Sequence, residues 1–435
     1  MVAVNLTRRS TVPLRIALID RRNAFACGVA FSTTRAEHIL NVAAAGMSAF
    51  PDAPADFLRW LRETPGEDVD GGAFLPRDVY ARYLESLLEE ASRGRHLIER
   101  MTFDVVDLRD GDDGAVLIAR GGAAACTARS VVLALGSLPP VRPSNFGADA
   151  RYVSDPRTFL REPSFDLAGD TLVIGTGLTA LDVVLSFQRS PSRGRIIALS
   201  RRGRFPLPHG LAAAQPRDPF AAGPLPTTAR ELVARVRSAA LVEVRAGRDW
   251  RAVIEGVRPR TADLWHGLSS RERRRFLRHA RSAWESHRHR APATSVAVKD
   301  EMIARGKLVV LAGRLVGANG DGDAIEIRYR SRGSGATESV RVAAVINCTG
   351  PSTDYVAAEP LVANLAASGG VVCDGLGMGL HARRDGRLID AAGNVHDRLR
   401  AIGWPLRGVL YETTAVRELR EQASVLASDL VELLT

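Results

Sequence analysis

The 435 residues read as an α/β chain of two strand–helix–strand units, the first without its opening strand and glycine-rich turn, with a helical insertion inside the second. Three observations carry that reading. Thr171 to Ile174 is an apolar strand that runs into Gly175-Thr176-Gly177-Leu178-Thr179-Ala180, a helix from Leu181 to Gln188 and a second strand from Ile196 to Leu199. Leu14 to Ile19 is a similar apolar strand closing on Asp20, with no glycine turn before it. From Pro206 to about Arg305, after a Pro/Gly/Ala loop at residues 216–226, strand alternation gives way to helical, arginine-rich sequence.

Val2, Ala3, Val4 and Leu6 have the spacing of the apolar end of a helix. In a dinucleotide-binding unit a G-x-G-x-x-G turn precedes the ribose-binding acid by roughly 20 residues. Counted back from Asp20 that turn falls before Met1, so half of a nucleotide site is expected outside this sequence. A loop of small residues follows, with Cys27-Gly28-Val29-Ala30-Phe31-Ser32, Leu40-Asn41-Val42 and Met47-Ser48-Ala49-Phe50-Pro51. Such residues let backbone approach a ligand closely and also make tight turns. Residues 55–61 and 77–90 are amphipathic helices, residues 104–120 a hairpin turning at Asp112-Asp113-Gly114, and residues 131–135 a buried strand ending in Gly136. Pro139 and Pro140 mark a boundary.

The second unit is complete. Gly175 permits the tight turn, Gly177 a close approach to a pyrophosphate, Ala180 the packing of helix on strand, and the helix start at Leu178-Thr179 turns its free amides toward the anion. After the second strand come Arg201 and Arg202, where a carboxylate would select NAD; arginine there suits the additional phosphate of NADPH, with NADH as the alternative. Strands resume at residues 307–311, 324–329 and 342–347, the last running into Cys348-Thr349-Gly350-Pro351. A strand at 399–402, broken by Gly403, leads through Tyr411-Glu412-Thr413-Thr414 to a helix over 415–426, which Thr413 or Thr414 can cap above a ready anion site.

A net charge of +10 invites nucleic acid as a partner. Against it, Lys299 and Lys307 are the only lysines, so arginine is in general excess, and the run Arg271 to Arg281 carries apolar residues at helical spacing like a solvated helix face. No nucleic-acid module accompanies the charge. No run approaches the ~18 apolar residues of a membrane span. The four cysteines are scattered without a C-x-x-C pair, which fits a reducing cytoplasm and no metal. His287 and His289, two apart on a helix, point to different faces and are structural or surface residues unless one reaches a substrate.

Gly28-Val29-Ala30-Phe31-Ser32, Leu40-Asn41-Val42 through Met47-Ser48-Ala49-Phe50, Trp284 with His287-Arg288-His289-Arg290, Asn347-Cys348-Thr349-Gly350-Pro351 and Glu412-Thr413-Thr414-Ala415 resemble the FAD/NAD(P)-binding flavoproteins that include bacterial urate hydroxylases and aspartate N-monooxygenases. That resemblance implies two Rossmann-like dinucleotide-binding domains. FAD would lie in residues 1–165 and 341–435, and NAD(P)H in 166–210 and 306–340, with 211–305 the helical insertion. It implies Asp20 on the FAD ribose, Asn41, Met47 and Ser48 near the flavin, Gly350 and Pro351 bordering the cofactor, and the Thr413–Thr414 turn at the pyrimidine edge. Departures are the missing glycine loop, Ala26-Cys27 in place of Gly-Arg, and Ala43-Ala44-Ala45-Gly46 in place of Pro-Ala-Gly-Arg.

The expected activity is an FAD-dependent, NADPH-using monooxygenase acting on a small polar molecule, an anionic one being favoured by the charge of the helical insertion, with no side chain serving as nucleophile because the cofactor carries the chemistry. The alternatives are a flavin reductase or dehydrogenase without oxygenation, and a non-catalytic NADPH-binding protein.

Overall fold

In the computed structural model, which describes residues 1–65, 69–111, 114–144, 146, 151–161, 169–188, 194–210 and 215–434, four sheets organise the chain. The largest has seven strands: β7 (Tyr152–Val153), β8 (Thr171–Ile174), β9 (Ile196–Ser200), β10 (Leu308–Asp321), β11 (Ala324–Ser331), β12 (Thr337–Val342) and β13 (Ala344–Asn347). Their spatial order is β12-β11-β10-β9-β8-β13-β7, parallel from β10 to β7, with β11 and β12 added antiparallel. β8 and β13 are buried at every position, as near-continuous apolar strands covered on both faces must be. Helix Leu178–Gln188 packs against this sheet through Ala180, Leu181, Val183 and Val184.

Two corrections to the sequence reading follow. The expected strand 342–347 is two strands, broken at Ala343, whose amide donates to the Asp170 carbonyl. β13 pairs with β8, so residues 344–347 lie in the second unit rather than in the C-terminal part of the first, where the boundary at 341 put them. The helices also run longer than expected, Leu178–Gln188 at its start and Val416–Leu434 at its end.

The first unit has a different form. β1 (Arg15–Ile19) pairs in parallel with β2 (Leu97–Met101) and with no other strand among the described residues. β6 (Val131–Leu133) pairs with β15 (Val395–Ala401), which carries β14 (Arg387–Ile389) on its far side. Ile16 of β1 and Val132 of β6 share one apolar cluster with Leu6, Ala427 and Leu430. In the usual order of such a unit the first strand lies between the second and the fourth. The two half-sheets are thus divided where the glycine-bearing strand would run. Helix Val2–Arg9 lies against helix Val416–Leu434, and a meander of β3 (Val105–Gly111), β4 (Gly114–Ala119) and β5 (Ala124–Ala128) completes the unit. The meander's first turn, at Asp112 and Asp113, lies outside the described residues. Helices Asp56–Glu63 and Arg77–Ser92 hold an aromatic core of Phe57, Tyr80 and Tyr83.

The insertion is helical as expected, from Ala229–Arg245 to Ala293–Ala304.

Candidate functional site

Gly175 closes β8 at φ +110°, and a Cβ there would stand 2.2 Å from the Cys348 carbonyl oxygen, so β13 sets the identity of this residue. Gly177 differs: a Cβ would meet no atom within 4 Å, leaving open space beside the start of helix Leu178–Gln188. That is the cradle a pyrophosphate needs at a helix N-terminus. The Thr176 hydroxyl bonds the Arg204 carbonyl at 2.7 Å and Ser200 Oγ at 2.9 Å, tying the turn to the end of β9. β9 lies on one side of β8 and β13 on the other, so the turn opens at the sheet's topological switch point, where α/β folds take ligands. Gly350, at φ +97° with open space beside it, and Pro351 follow β13 at the same rim. Arg201 is exposed and Arg202 half-buried just beyond β9, where an adenosine phosphate would lie.

Helix Leu178–Gln188 is clamped from behind by the first unit. Arg77 Nη2 donates to Asp182 Oδ2 at 2.8 Å, and the buried His38 ring bridges Thr33 Oγ1 at 2.8 Å and Ser186 Oγ at 2.9 Å. Burial, offset in part by Asp182, lowers the His38 pKa from the usual imidazole range.

In the first unit Asp20 closes β1, its Oδ1 accepting from the Arg22 amide at 2.7 Å. Met47 and Ser48 serve the core more than a ligand. Met47 is 2% exposed within the Phe57 cluster, and Ser48 Oγ donates to the Ala53 carbonyl at 2.7 Å, so their side chains are already engaged. The Asn41 carbonyl accepts from His209 Nε2 at 2.9 Å. Burial holds His209 below the ordinary imidazole range despite that bond, with the Arg290 charge adding to the effect, so the ring is neutral near pH 7 and its Nδ1 is left as an acceptor.

Near the start of the terminal helix the Tyr411 and Thr413 hydroxyls and the Arg420 Nε are buried without a hydrogen-bond partner among the described residues, as are Nε and Nη1 of Arg290 and groups elsewhere at Tyr80, Tyr152, Thr171 and Arg400. Native structures rarely leave such groups unpaired without a ligand, a water or a function to account for them. Thr413 is wholly buried with its hydroxyl free, so it does not cap the helix as the sequence suggested. Tyr411 holds φ +64°, a conformation costing about 1–3 kcal/mol in a non-glycine residue, and is pinned by ring stacking on Trp265 at 4.7 Å. Around them Glu412 takes Trp284 Nε1 at 2.9 Å and pairs with Arg288 at 3.2 Å, while Glu418 takes Arg258 at 2.7 Å and Arg288 at 3.1 Å. Burial would raise the Glu418 carboxyl, but the Arg258 hydrogen bond and charge, with Arg288, hold it below its ordinary range.

The expected histidines have other partners. His287 Nδ1 donates to the Ala283 carbonyl at 2.7 Å and packs edge-on to Trp250, while His289 Nε2 lies 3.0 Å from Glu285. His287 lies on helix Arg281–Arg288 and His289 at its C-cap. Both histidines thus have partners within the insertion.

Sequence reasoning passed over Arg258, His209, Glu418 and the role of Arg290, whose partners are remote in the chain. The doublet of arginine and histidine after Trp284 was the available signal. Its segment joins the two units. Arg288 reaches Glu412 and Glu418, while Ala291 packs in one cluster with Leu178 and Ala180 and bonds Leu207 and His209 through its backbone. Among the described residues no three His, Cys, Asp or Glu side chains converge as a metal site requires, and no helix is long and apolar enough to cross a membrane.

A family described as FAD-NAD(P)-binding matches residues 1–138. No curated protein sequence matches the chain. Among solved structures, the ornithine N-hydroxylase of Kutzneria sp. 744, in a form with reduced FAD, NADP⁺ and L-ornithine, is similar at 16% identity and a TM-score of 0.68, over 100% of this chain and 97% of that one. The ornithine hydroxylase of Pseudomonas aeruginosa, in its reduced form, is similar at 16% identity and a TM-score of 0.62, with the same coverage. The FAD-bound cadaverine monooxygenase of the desferrioxamine pathway of Erwinia amylovora is similar at 13% identity and a TM-score of 0.63, over 97% and 94%. At such identities the likeness speaks to the fold, an α/β architecture of two Rossmann-like dinucleotide-binding domains with a helical insertion.

Proposed function

We propose that the chain is an FAD-dependent, NADPH-using monooxygenase of a small polar amine or amino acid. The observation that carries this reading is the run of contacts through segment 288–291, where Ala291 packs with Leu178 and Ala180 beside the Gly175 turn and Arg288 pairs with Glu412 ahead of the terminal helix. The narrower kinship with urate hydroxylases and aspartate N-monooxygenases rests on the sequence motifs, whereas the fold likenesses are to amine and amino-acid hydroxylases.

The fit to each cofactor differs. For NADPH the turn Gly175, Thr176, Gly177, Leu178 and Thr179 offers open space at a helix start, with Arg201 and Arg202 for the adenosine phosphate and Gly350 and Pro351 along the rim. For FAD the two ends fit: Asp20 has a carboxylate oxygen to offer a ribose, and the buried Thr413 hydroxyl has no partner but a ligand to meet, with Thr414 beside it. The pyrophosphate cradle between them has no glycine turn among these residues, so Asn41, Met47 and Ser48 would contribute mainly backbone.

Bound FAD would supply the oxygen chemistry and NADPH the two electrons. The protein's part is to bind, orient and exclude water. The Gly175 turn would hold the dinucleotide by backbone amides, the neutral His209 keeps an acceptor at Nδ1, and the buried ion pairs join the insertion to the start of the terminal helix. Overall, NADPH, O₂ and a proton would be consumed and NADP⁺ and water released, one oxygen atom entering the substrate.

The test is purification followed by absorbance, NADPH consumption and ¹⁸O₂ incorporation. A yellow protein that oxidises NADPH and labels its substrate supports the reading, and unlabelled product with NADPH consumption indicates a reductase or dehydrogenase. A colourless protein that binds NADPH with no turnover would count instead for an NADPH-binding protein without flavin.

A further inference from the structure

Helix Leu178–Gln188 is fastened in two directions. Ala180, Leu181, Val183 and Val184 pack it on its own sheet, while Asp182 and Ser186, one turn apart, meet the first unit. Arg77 takes Asp182, and the wholly buried His38 joins Thr33 to Ser186. The Arg77 amide donates to the His38 carbonyl at 3.0 Å, so the two contacts sit on paired backbone and act together.

The hydrogens of the His38 contact run one way. Ser186 Oγ donates to the Asp182 carbonyl at 3.0 Å, which leaves that oxygen to accept from His38 Nε2. His38 Nδ1 then carries no proton and accepts from the Thr33 hydroxyl, whose oxygen accepts from the Arg35 amide at 3.3 Å. Every donor in the chain is used only when the ring is neutral and protonated on Nε2, and such a run of bonds is strengthened by its own polarisation. A second proton, on Nδ1, would set two hydrogens against each other at Thr33. Burial opposes that charge, and the charged groups that face the ring, Asp182 and Glu37 against Arg77 and Arg35, are paired with one another.

A buried polar chain specifies one arrangement of the surfaces it joins, because a slide that apolar contacts tolerate would leave its donors unpaired. Two turns of helix, about 12 Å, separate Ser186 from Leu178, where the nucleotide turn ends. The helix cannot tilt about that anchor without re-aiming the turn. We propose that His38 is a positioning residue of the reaction: by donating from Nε2 to Ser186 it sets the angle between the nucleotide unit and the first unit, while touching neither nucleotide nor substrate. This deepens the NADPH-oxidising reading and rests on it for its chemistry, but the angle can be measured without turnover.

Three variants of the full chain test it. Ser186→Ala removes the acceptor with little change of volume, His38→Asn keeps an acceptor near Nδ1 without the reach to Ser186, and His38→Gln places an amide donor near Nε2. Ser186→Ala and His38→Asn should lower kcat for NADPH oxidation about 10- to 100-fold, as a misplacement of about 1 Å does, with NADPH Kd held within about twofold and His38→Gln recovering to within about threefold of wild type. Wild-type kcat should fall in acid, below the ordinary imidazole value of about 6.5, and that of His38→Gln should fall less. Spin labels on ketone-bearing residues substituted for the exposed Glu89 and Arg330, one in each unit, read the angle with NADP⁺ bound. One narrow distance is expected in wild type and His38→Gln, and a broadened or shifted one in Ser186→Ala. Unchanged kcat or unchanged distances in Ser186→Ala, a loss of NADPH affinity as large as the loss of rate, or equal rates in the Gln and Asn variants would overturn the assignment. A wild type that oxidises no NADPH defeats the oxidoreductase reading instead, and the distances then decide the role of His38 on their own, broadening upholding it and constancy overturning it.

Discussion

Two alanine substitutions two residues apart should separate folding from binding. At Gly175 the added Cβ lies 2.2 Å from the Cys348 oxygen and 2.7 Å from its carbon, at φ +110°, so backbone must shift. Adding about 1–3 kcal/mol for overpacking and a similar amount for the backbone conformation gives about 2–6 kcal/mol lost. At Gly177 the same methyl meets nothing within 4 Å and the backbone is outside the left-handed region, so stability should hold or rise by about 0.4–1 kcal/mol. A pyrophosphate pressed against that turn would meet the methyl, and losing a close approach and one or two charge-assisted amide bonds amounts to about 1.5–3 kcal/mol, roughly 10- to 150-fold in NADPH affinity. Calorimetric unfolding and NADPH titration of both variants decide it. If Gly177→Ala unfolds as early as Gly175→Ala, or binds NADPH like wild type, the turn is structural and the cleft is misassigned.

Other expectations follow from the same geometry. Arg201→Ala with Arg202→Ala should reduce the preference for NADPH over NADH about 10-fold or more while leaving NADH affinity unchanged, read from Kd values of the two nucleotides. Glu418→Gln takes one of two carboxylates from each of Arg258 and Arg288, which are 12% and 7% exposed at the side chain and keep Glu255 and Glu412, and should cost about 3 kcal/mol in urea unfolding; a loss below about 1 kcal/mol would show the pairs to be solvent-screened. Glu418 and Glu255 both have folded pKa values below the ordinary 4.5 despite burial, held down by arginine. The stability they contribute is complete above that value and is lost as pH falls through the lower, folded pKa, so Trp284 fluorescence should report loosening of the insertion only in acid.

How far the sequence carried depends on the range of the forces involved. The second unit was legible almost residue by residue, because an unbroken apolar strand, a glycine turn and an apolar helix are local patterns, and β8 begins and ends where they place it. The break at Ala343 was not legible, since it is made by a hydrogen bond to Asp170, far back in the chain. The length of β10 and the pairing of β12 were missed for the same reason: Ala324 to Tyr329 alternates visibly, whereas the partners that extend it do not announce themselves. In the site, glycine and threonine positions could be named from motifs. The Arg258–Glu418 pair spans 160 residues, and the positive φ of Tyr411, in a residue that disfavours it, is imposed by packing on Trp265 rather than by any turn signal.

The insertion then has a structural task that its composition conceals. Its arginines looked like a solvated face, and those of helix Ser270–His279 largely are, but Arg258 and Arg288 turn inward to Glu418 and Glu412 at the terminal helix and Arg290 to Glu255 within the insertion. A buried pair of this kind is weak support for stability and better suited to fixing one arrangement among several, because a slipped register would leave charges uncompensated. Here what is fixed is the distance between the Gly175 turn and Thr413, since Arg288 holds Glu412 on one side while Ala291 packs with Leu178 on the other. Two nucleotide units that rocked freely could bind their ligands separately but could not hold them in one geometry. Replacing Arg288 and Glu412 together by Met and Leu tests that division of labour: stability should be nearly unchanged or improved, nucleotide affinity should be unchanged, and turnover should fall at least 10-fold. Unaltered turnover in that double variant would mean that the ion pairs hold nothing that the reaction needs.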